Sequence, residues 1–296
     1  MRPHAEKSIP RRAAGRSRRW IAKSVALRAS CVCVIFLAMI HPTAVISPQA
    51  QIDPTAEIGP WCVIDGPVRI GPRTVLMNGV AAYGDVRIGA DNHIAAHTAI
   101  GGRPQDPAYQ NEPTRVEIGD RNQIFEYVSI HRGTVRGDGC TRLGNDNMVM
   151  AYSHLAHDVQ VGHGSRITAY CGISGHCHIG DHAVISGMVG MQQFVRVGAY
   201  AFVSGHAAIT QDVLPYSVAF GTACPAYLHG VNLIGLERHG LSRADLRLLR
   251  QVMHLWRDHT RTAQSVLDHL AQRWGEHARV REIMAFAQAS TRGVLR

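Results

Sequence analysis

The stretch Val149-Met-Ala-Tyr-Ser-His-Leu155-Ala-His-Asp-Val-Gln-Val161-Gly-His-Gly-Ser-Arg-Ile167-Thr-Ala-Tyr-Cys-Gly-Ile173-Ser-Gly-His-Cys-His-Ile179-Gly-Asp-His-Ala-Val-Ile185 places a large aliphatic residue at every sixth position. A period of six fits neither the α-helix nor the heptad coiled coil, so both are excluded. Hairpins are excluded as well, because their turns vary in length. Four residues beyond each aliphatic stands a smaller side chain: Ser153, Val159, Ser165, Cys171, Cys177 and Ala183. Each hexad thus offers one large and one small inward group, which suits a short strand followed by a tight corner. Three hexads close a triangular coil of 18 residues. Successive coils stack at the ~4.8 Å spacing of paired strands. The expected architecture is a parallel β-helix.

The same period extends in both directions. Upstream it runs from Ile40 through Ile46, Ile52, Ile58, Ile64, Ile70, Leu76, Ala82, Ile88 and Ile94 to Ile100, then resumes in phase at Ile118, Ile124 and Ile130. Downstream of a one-residue phase shift it continues from Leu143 through Met191, Val197 and Val203 to Ile209. Glycine often follows the aliphatic (Gly59, Gly71, Gly162, Gly180), where it is expected to relieve crowding at the corner. The predicted β-helical domain covers 39–215, with excursions at 101–117 and about 131–142, where function tends to concentrate. After Pro215 an irregular connector is expected over 216–240, inside a C-terminal domain of 216–296. From Ser242 the spacing turns helical, with Ser242-Arg-Ala-Asp245 as a capping box and Leu246, Leu249, Val252, Met253 and Trp256 on one face. Two further helices are expected near 262–275 and 277–290.

The chain has 296 residues, 46% hydrophobic and 18% charged, too little charge for a disordered polymer. Its formal charge is +9, but residues 1–32 carry nine Lys/Arg against Glu6 alone, which leaves the other 264 residues nearly neutral. A nucleic-acid partner is therefore not expected. The seven cysteines include no Cys-x-x-Cys pair, which argues against a disulfide framework or a structural zinc site. Cys62, Cys171 and Cys177 fall on the small inward position and are expected to be packing residues.

The longest apolar run, Cys31 to Ile40, is too short to span a membrane, so no stable membrane insertion is expected. Behind its basic stretch it has the profile of a secretory leader. The preferred alternative is a start at Met39, with 1–38 an artefact or a dispensable tail, because the run passes into the first repeat without cleavage-site punctuation. Deleting 1–38 is then expected to leave activity intact.

Among 18 histidines, those of Tyr152-Ser-His154-Leu-Ala-His157-Asp158 stand out. His157 and Asp158 fall outside the inward slots of their hexad, which predicts side chains available at the prism surface. A histidine beside a carboxylate suits general-base work, the carboxylate fixing its tautomer. Gly175 lies 18 residues on, one coil away, where a bare N–H could stabilise an oxyanion. Asp158 is similarly placed near His176. The competing use of these histidines is a metal site, with His154 and His157 joined by His131 or His176. No phosphate-binding loop, nucleophile elbow or dinucleotide fingerprint is present.

Four segments carry a more specific signal: Glu112-Pro-Thr-Arg-Val-Glu-Ile-Gly-Asp-Arg-Asn122, Ile130-His-Arg-Gly-Thr134, His154-Leu-Ala-His-Asp158 and Ser290-Thr-Arg-Gly293. With them the chain, from about Met39 to Arg296, resembles the UDP-N-acetylglucosamine 3-O-acyltransferases, hexapeptide-repeat enzymes that open lipid A synthesis. Parallel crossovers are usually right-handed, but the resemblance implies a left-handed prism, assembled as a homotrimer in the cytoplasm. It implies transfer of an (R)-3-hydroxyacyl chain from acyl carrier protein to the sugar 3-hydroxyl, with no cofactor and no resident metal. His157 matches the general base, Asp158 its orienting partner and Gly175 the oxyanion donor. Asp106 matches a sugar-binding residue, and His131, His154, His176 and Gln193 match residues lining the nucleotide-sugar and acyl site. Asn232 and Arg238 match uridine-diphosphate contacts.

Ala108 departs from the lysine common in the family, which weakens a charge contact to the nucleotide. Gly205, beside the acyl groove, leans toward a longer chain. The basic segment 237–296, with eleven Arg and six Asp/Glu, fits docking of an acidic carrier. The alternatives are an N-acyltransferase, an acetyl-CoA-dependent enzyme of the same fold, and a zinc-binding hydratase.

Overall fold

The computed structural model describes residues 39–221 and 226–296. The N-terminal extension 1–38, with Cys31 and Cys33, and the pair Cys224 and Pro225 lie outside the described residues.

The chain winds as a left-handed β-helix of hexapeptide repeats followed by a short helical segment. Its strands stack into three faces of eleven, nine and eight strands. Registers such as Leu155 on Ile173 and Ile173 on Met191 confirm the 18-residue coil. The large aliphatics fill the interior: Ile58, Ile64, Ile94, Ile130, Leu155, Ile173 and Ile185 are at most 1% exposed. Each such side chain contributes about 1.5–3 kcal/mol of burial free energy. Cys62, Cys171 and Cys177 are buried free thiols at the small inward position. Burial pushes the Cys177 thiol up to about 12, so it stays protonated and inert.

The following glycines relieve crowding, as expected, but the crowding lies between successive coils. They are not the residues in the left-handed backbone region. That conformation falls on the third residue after the aliphatic, as in Tyr152 (φ 61°), Asp158 (61°), Tyr170 (62°), His176 (60°) and His182 (55°). Among the described residues none of those at positive φ is β-branched, in keeping with the steric cost of a branched Cβ there. Glycine is needed instead for close stacking. A Cβ on Gly71 would come within 2.7 Å of the Gly89 carbonyl one coil on. Corner side chains stack in columns, such as His97, Tyr127, Tyr152 and Tyr170, with ring centroids 5.2, 5.0 and 5.0 Å apart.

The connector is more ordered than its sequence suggests. Ser217–Phe220 extends the first face, Tyr227–Val231 pairs with it antiparallel, and α1 (Leu233–Arg238) follows. The antiparallel strand occupies the growing edge of the first face. Helices α2 (Arg243–Arg257), α3 (Ala263–Trp274) and α4 (Ala278–Gln288) complete the chain. Ser242 caps α2 as expected, its Oγ accepting from the Asp245 N–H at 3.1 Å and donating to the Asp245 carboxylate at 2.8 Å. Leu246, Leu249, Val252, Met253 and Trp256 form its buried face. Arg196 fastens this segment to the last coil. It pairs with fully buried Asp212 at 2.8 Å, donates to the Phe286 carbonyl at 2.7 Å and lies 4.3 Å from the Phe286 ring centre. No helix among the described residues is long and apolar enough to cross a membrane.

Candidate active site

Both excursions leave the prism at the corner between the second and third faces. Ala99–Gly102 and Ser129–His131 belong to the second face, and the chain returns on the third with Arg115–Ile118 and Cys140–Leu143. On the next three coils the same corner carries His157 and Asp158, then Gly175 and His176, then Gln193 and Phe194. One edge thus gathers the candidate residues of five successive levels.

His157 and Asp158 point away from the barrel interior, but they do not lie open at the surface. They are 5% and 3% exposed. The second excursion covers them: the Thr134 N–H donates to Asp158 Oδ1 at 2.8 Å, and the Thr134 hydroxyl donates to Oδ2 at 2.7 Å. Gly137 packs so closely that an added Cβ would lie 2.4 Å from Oδ1. Thr141 Oγ1 accepts the Asp158 backbone N–H at 2.8 Å. His157 Nδ1 stands 2.9 Å from Asp158 Oδ2. Burial pushes the Asp158 carboxyl up, but the hydrogen bonds from His157 and Thr134 outweigh it and hold the group below the usual carboxylate range. The carboxylate is therefore an acceptor, which in the neutral imidazole assigns the His157 proton to Nδ1 and leaves the lone pair on Nε2.

That lone pair faces the next coil. A Cβ built on Gly175 would meet His157 Nε2 at 2.7 Å and Cε1 at 2.5 Å, so only glycine fits there. Among the described residues no acceptor takes the Gly175 N–H. His176 stands edge-on to His157 with centroids 5.1 Å apart, stacks on Phe194 at 4.5 Å, and brings Nε2 to 3.6 Å from Asp158 Oδ2. Burial lowers the pKa of His176, with Asp158 opposing. Gln193 is exposed one coil beyond Gly175.

On the adjoining second face His154 Nδ1 bonds Ser129 Oγ at 2.7 Å, and His131 meets His154 edge-on at 4.7 Å. The His131 Nδ1 atom is buried without a partner. Burial first, then the charges of His154, His157 and Arg132, push the His131 pKa down to about 4. Asp106, in the first excursion, accepts from the Ala108 N–H at 2.9 Å and pairs with Arg136 of the second excursion at 3.7 Å. Position 108 thus offers Asp106 a backbone N–H, and the cation beside it comes from Arg136.

Two expected site residues lie elsewhere. Asn232 sits at the corner between the third and first faces, its Nδ2 donating to the Tyr200 carbonyl at 2.9 Å and its Oδ1 capping α1 through the Gly235 N–H at 3.1 Å. Arg238 is exposed in the last turn of that helix. Within one chain these two belong to a different corner from His157.

His157, Asp158 and His176 bring ligand-type atoms within 4.8 Å of one another, a spacing a cation could bridge. The carboxylate is already engaged by Thr134 through both oxygens and by His157, which suits a hydrogen-bonded dyad. Sequence reasoning gave no role to Thr134, which it met only inside a diagnostic segment, and did not find Thr141 or Ser129. The usable signal was that two excursions leave the coils just before His157 at the same corner.

A coil of six-residue repeats with polar groups massed along one edge defines a hexapeptide-repeat transferase, and residues 140–175 match the family profile described as bacterial transferase hexapeptide (six repeats). Residues 212–295 match UDP N-acetylglucosamine O-acyltransferase, domain 2. Among solved structures, UDP-N-acetylglucosamine O-acyltransferase from Moraxella catarrhalis is 38% identical with a TM-score of 0.84, over 87% of this chain and 100% of that one. The Francisella novicida acyltransferase is 33% identical with a TM-score of 0.84, over 87% and 94%. The Arabidopsis acyltransferase is 26% identical with a TM-score of 0.75, over 87% and 100%. The chain belongs to the UDP-N-acetylglucosamine O-acyltransferase family.

Proposed function

We propose that this chain transfers an (R)-3-hydroxyacyl group from acyl carrier protein to the 3-hydroxyl of UDP-N-acetylglucosamine, the opening step of lipid A synthesis, in the cytoplasm. Family membership supports the reaction class. The observation that carries the mechanism is the facing of His157 Nε2 and the bare Gly175 backbone across one coil step.

His157, held by Asp158 with Nδ1 protonated, takes the sugar 3-hydroxyl proton on Nε2. The freed oxygen attacks the thioester carbonyl carbon, and the Gly175 N–H accommodates the oxyanion of the tetrahedral intermediate. Collapse breaks the carbon–sulfur bond, and the departing thiolate takes the proton back from Nε2. Asp106 binds the sugar. His131, His154, His176 and Gln193 line the nucleotide-sugar and acyl site. Burial lowers the pKa of His131, His154 and His176, which favours neutral imidazoles able to hydrogen-bond either as donor or acceptor.

Asn232 and Arg238 bind the diphosphate end of the nucleotide. Their place at a second corner supports a site built between neighbouring subunits of a homotrimer, one chain supplying His157 and the next Arg238. The excess of arginine in 237–296 supports docking of an acidic carrier there.

Purified protein incubated with UDP-N-acetylglucosamine and hydroxyacyl carrier proteins of several chain lengths should yield one O-acylated product by mass. His157→Ala should lower turnover by about a hundredfold or more while the oligomer stays folded. Unchanged turnover in that variant removes the general-base assignment, and a stoichiometric zinc content would favour a metal at His157, Asp158 and His176.

A further inference from the structure

Asp158 Oδ2 lies near two imidazoles at once, 2.9 Å from His157 Nδ1 and 3.6 Å from His176 Nε2. A carboxylate free to rotate or shift could turn from one to the other. Only the first pairing leaves His157 Nε2 unprotonated toward Gly175. Something must therefore decide between them, and the β-helix itself supplies only a backbone contact, the Thr141 hydroxyl on the Asp158 N–H.

Resting on the general-base reading above, we propose that Thr134 is the positioning residue that commits Asp158 to His157. Its amide donates to Oδ1 and its hydroxyl to Oδ2, so the carboxylate is gripped at both oxygens. The grip is rigid because Thr134 begins a tight turn. Its carbonyl accepts the N–H groups of both Gly137 and Gly139 at 3.1 Å. Gly133 is pressed against Cys140, where a Cβ would come 2.3 Å from the Cys140 nitrogen, so the turn cannot slide along the strand. Gly137 then closes over the carboxylate. Thr134 is 2% exposed and its hydroxyl is spent on Asp158, so it acts through that carboxylate. The role of the second excursion is in this way chemical as well as steric: it excludes water from the dyad and sets which histidine carries its proton on Nδ1.

The test uses the full chain in three forms. Thr134→Val keeps the shape and the amide but removes the hydroxyl, and Thr134→Ser restores it. In Thr134→Val, kcat should fall about ten- to a hundredfold, the loss expected for one hydrogen bond to a charged group that orients a catalytic base. KM for UDP-N-acetylglucosamine should stay within about twofold, and Thr134→Ser should recover most of kcat. Nitrogen-15 shifts of the imidazoles should show His157 losing its single Nδ1–H tautomer in Thr134→Val and regaining it in Thr134→Ser. Wild-type kcat together with an unchanged His157 tautomer in Thr134→Val overturns the proposal. So does equal loss in both variants accompanied by a lowered melting point, which marks a packing role. His157→Ala run alongside separates the two readings. Full turnover there sinks the general base, while the tautomer measurement still decides the role of Thr134.

Discussion

His131 is a half-buried imidazole whose Nδ1 is buried with no partner among the described residues, beside His154 and within reach of His157 and the Arg132 charge. Its pKa of about 4 in the folded chain compares with about 6.5 when unfolded. Burial also lowers His154 and His176. The sign follows directly. Between pH 6.5 and 4 the unfolded chain takes up protons that the folded chain refuses, so stability is full above that window and falls as pH drops through it. Urea midpoints measured at pH 7 and 4.5 should therefore differ, and His131→Asn should narrow the difference. A midpoint in the native protein that ignores pH would refute the assignment. The sequence brought His131, His154, His157 and His176 forward through spacing and resemblance. It was silent on which would be buried without a partner, because that depends on the covering loops.

At the scale of the strand and corner, the small inward position hides a polar column that its size alone does not reveal. Asn92 Oδ1 accepts from the Asn122 backbone and side chain at 2.9 and 3.0 Å, Asn122 Oδ1 accepts from the Asn147 N–H at 2.9 Å, and Asn147 Oδ1 accepts from the Ser165 N–H at 2.8 Å. Thr74 begins the column by accepting the Asn92 N–H at 3.1 Å. Each amide caps a backbone N–H at a corner where neighbouring strands cannot reach it. Asn122→Ala should cost about 1–3 kcal/mol, the penalty of stranding buried polar groups, read as a lower melting temperature. Asn122→Asp should also destabilise, since a carboxylate there lacks the donor that meets Asn92. No change in melting for Asn122→Ala would mean that water replaces the amide. The inward period was legible because large aliphatics repeat every sixth residue. The stacking role of the glycines and the left-handed corners were not, since both arise from contacts 18 residues away or from backbone angles that many side chains tolerate.

For the whole molecule, the two-corner layout makes a decisive prediction about assembly. His157→Ala and Arg238→Ala chains should each be nearly inactive alone. Unfolded together and refolded as mixtures, they should regain a substantial fraction of activity, because some neighbouring pairs then hold one intact site. A mixture as inactive as its parts would place the whole site in one chain. The fold was legible from the hexads, and the family from four short segments. The true level of the excursions was not. Ile118 resumes the sequence phase of Ile100 but stacks on Ile88, because the first excursion happens to add a whole number of hexads. Periodicity counts residues and is blind to a loop that mimics its own period.

The winding also behaves as a screw thread with three stops per revolution. Adding or removing a single hexad between Asp158 and Gly175 would turn everything above it by one stop, carrying the glycine and Gln193 to a different azimuth from the imidazole. A full revolution would restore the azimuth but raise the amide out of reach. Length variation near the site is thus confined to the edge where the chain already steps off the thread and back on, and evolutionary tailoring of this scaffold has its freest ground there.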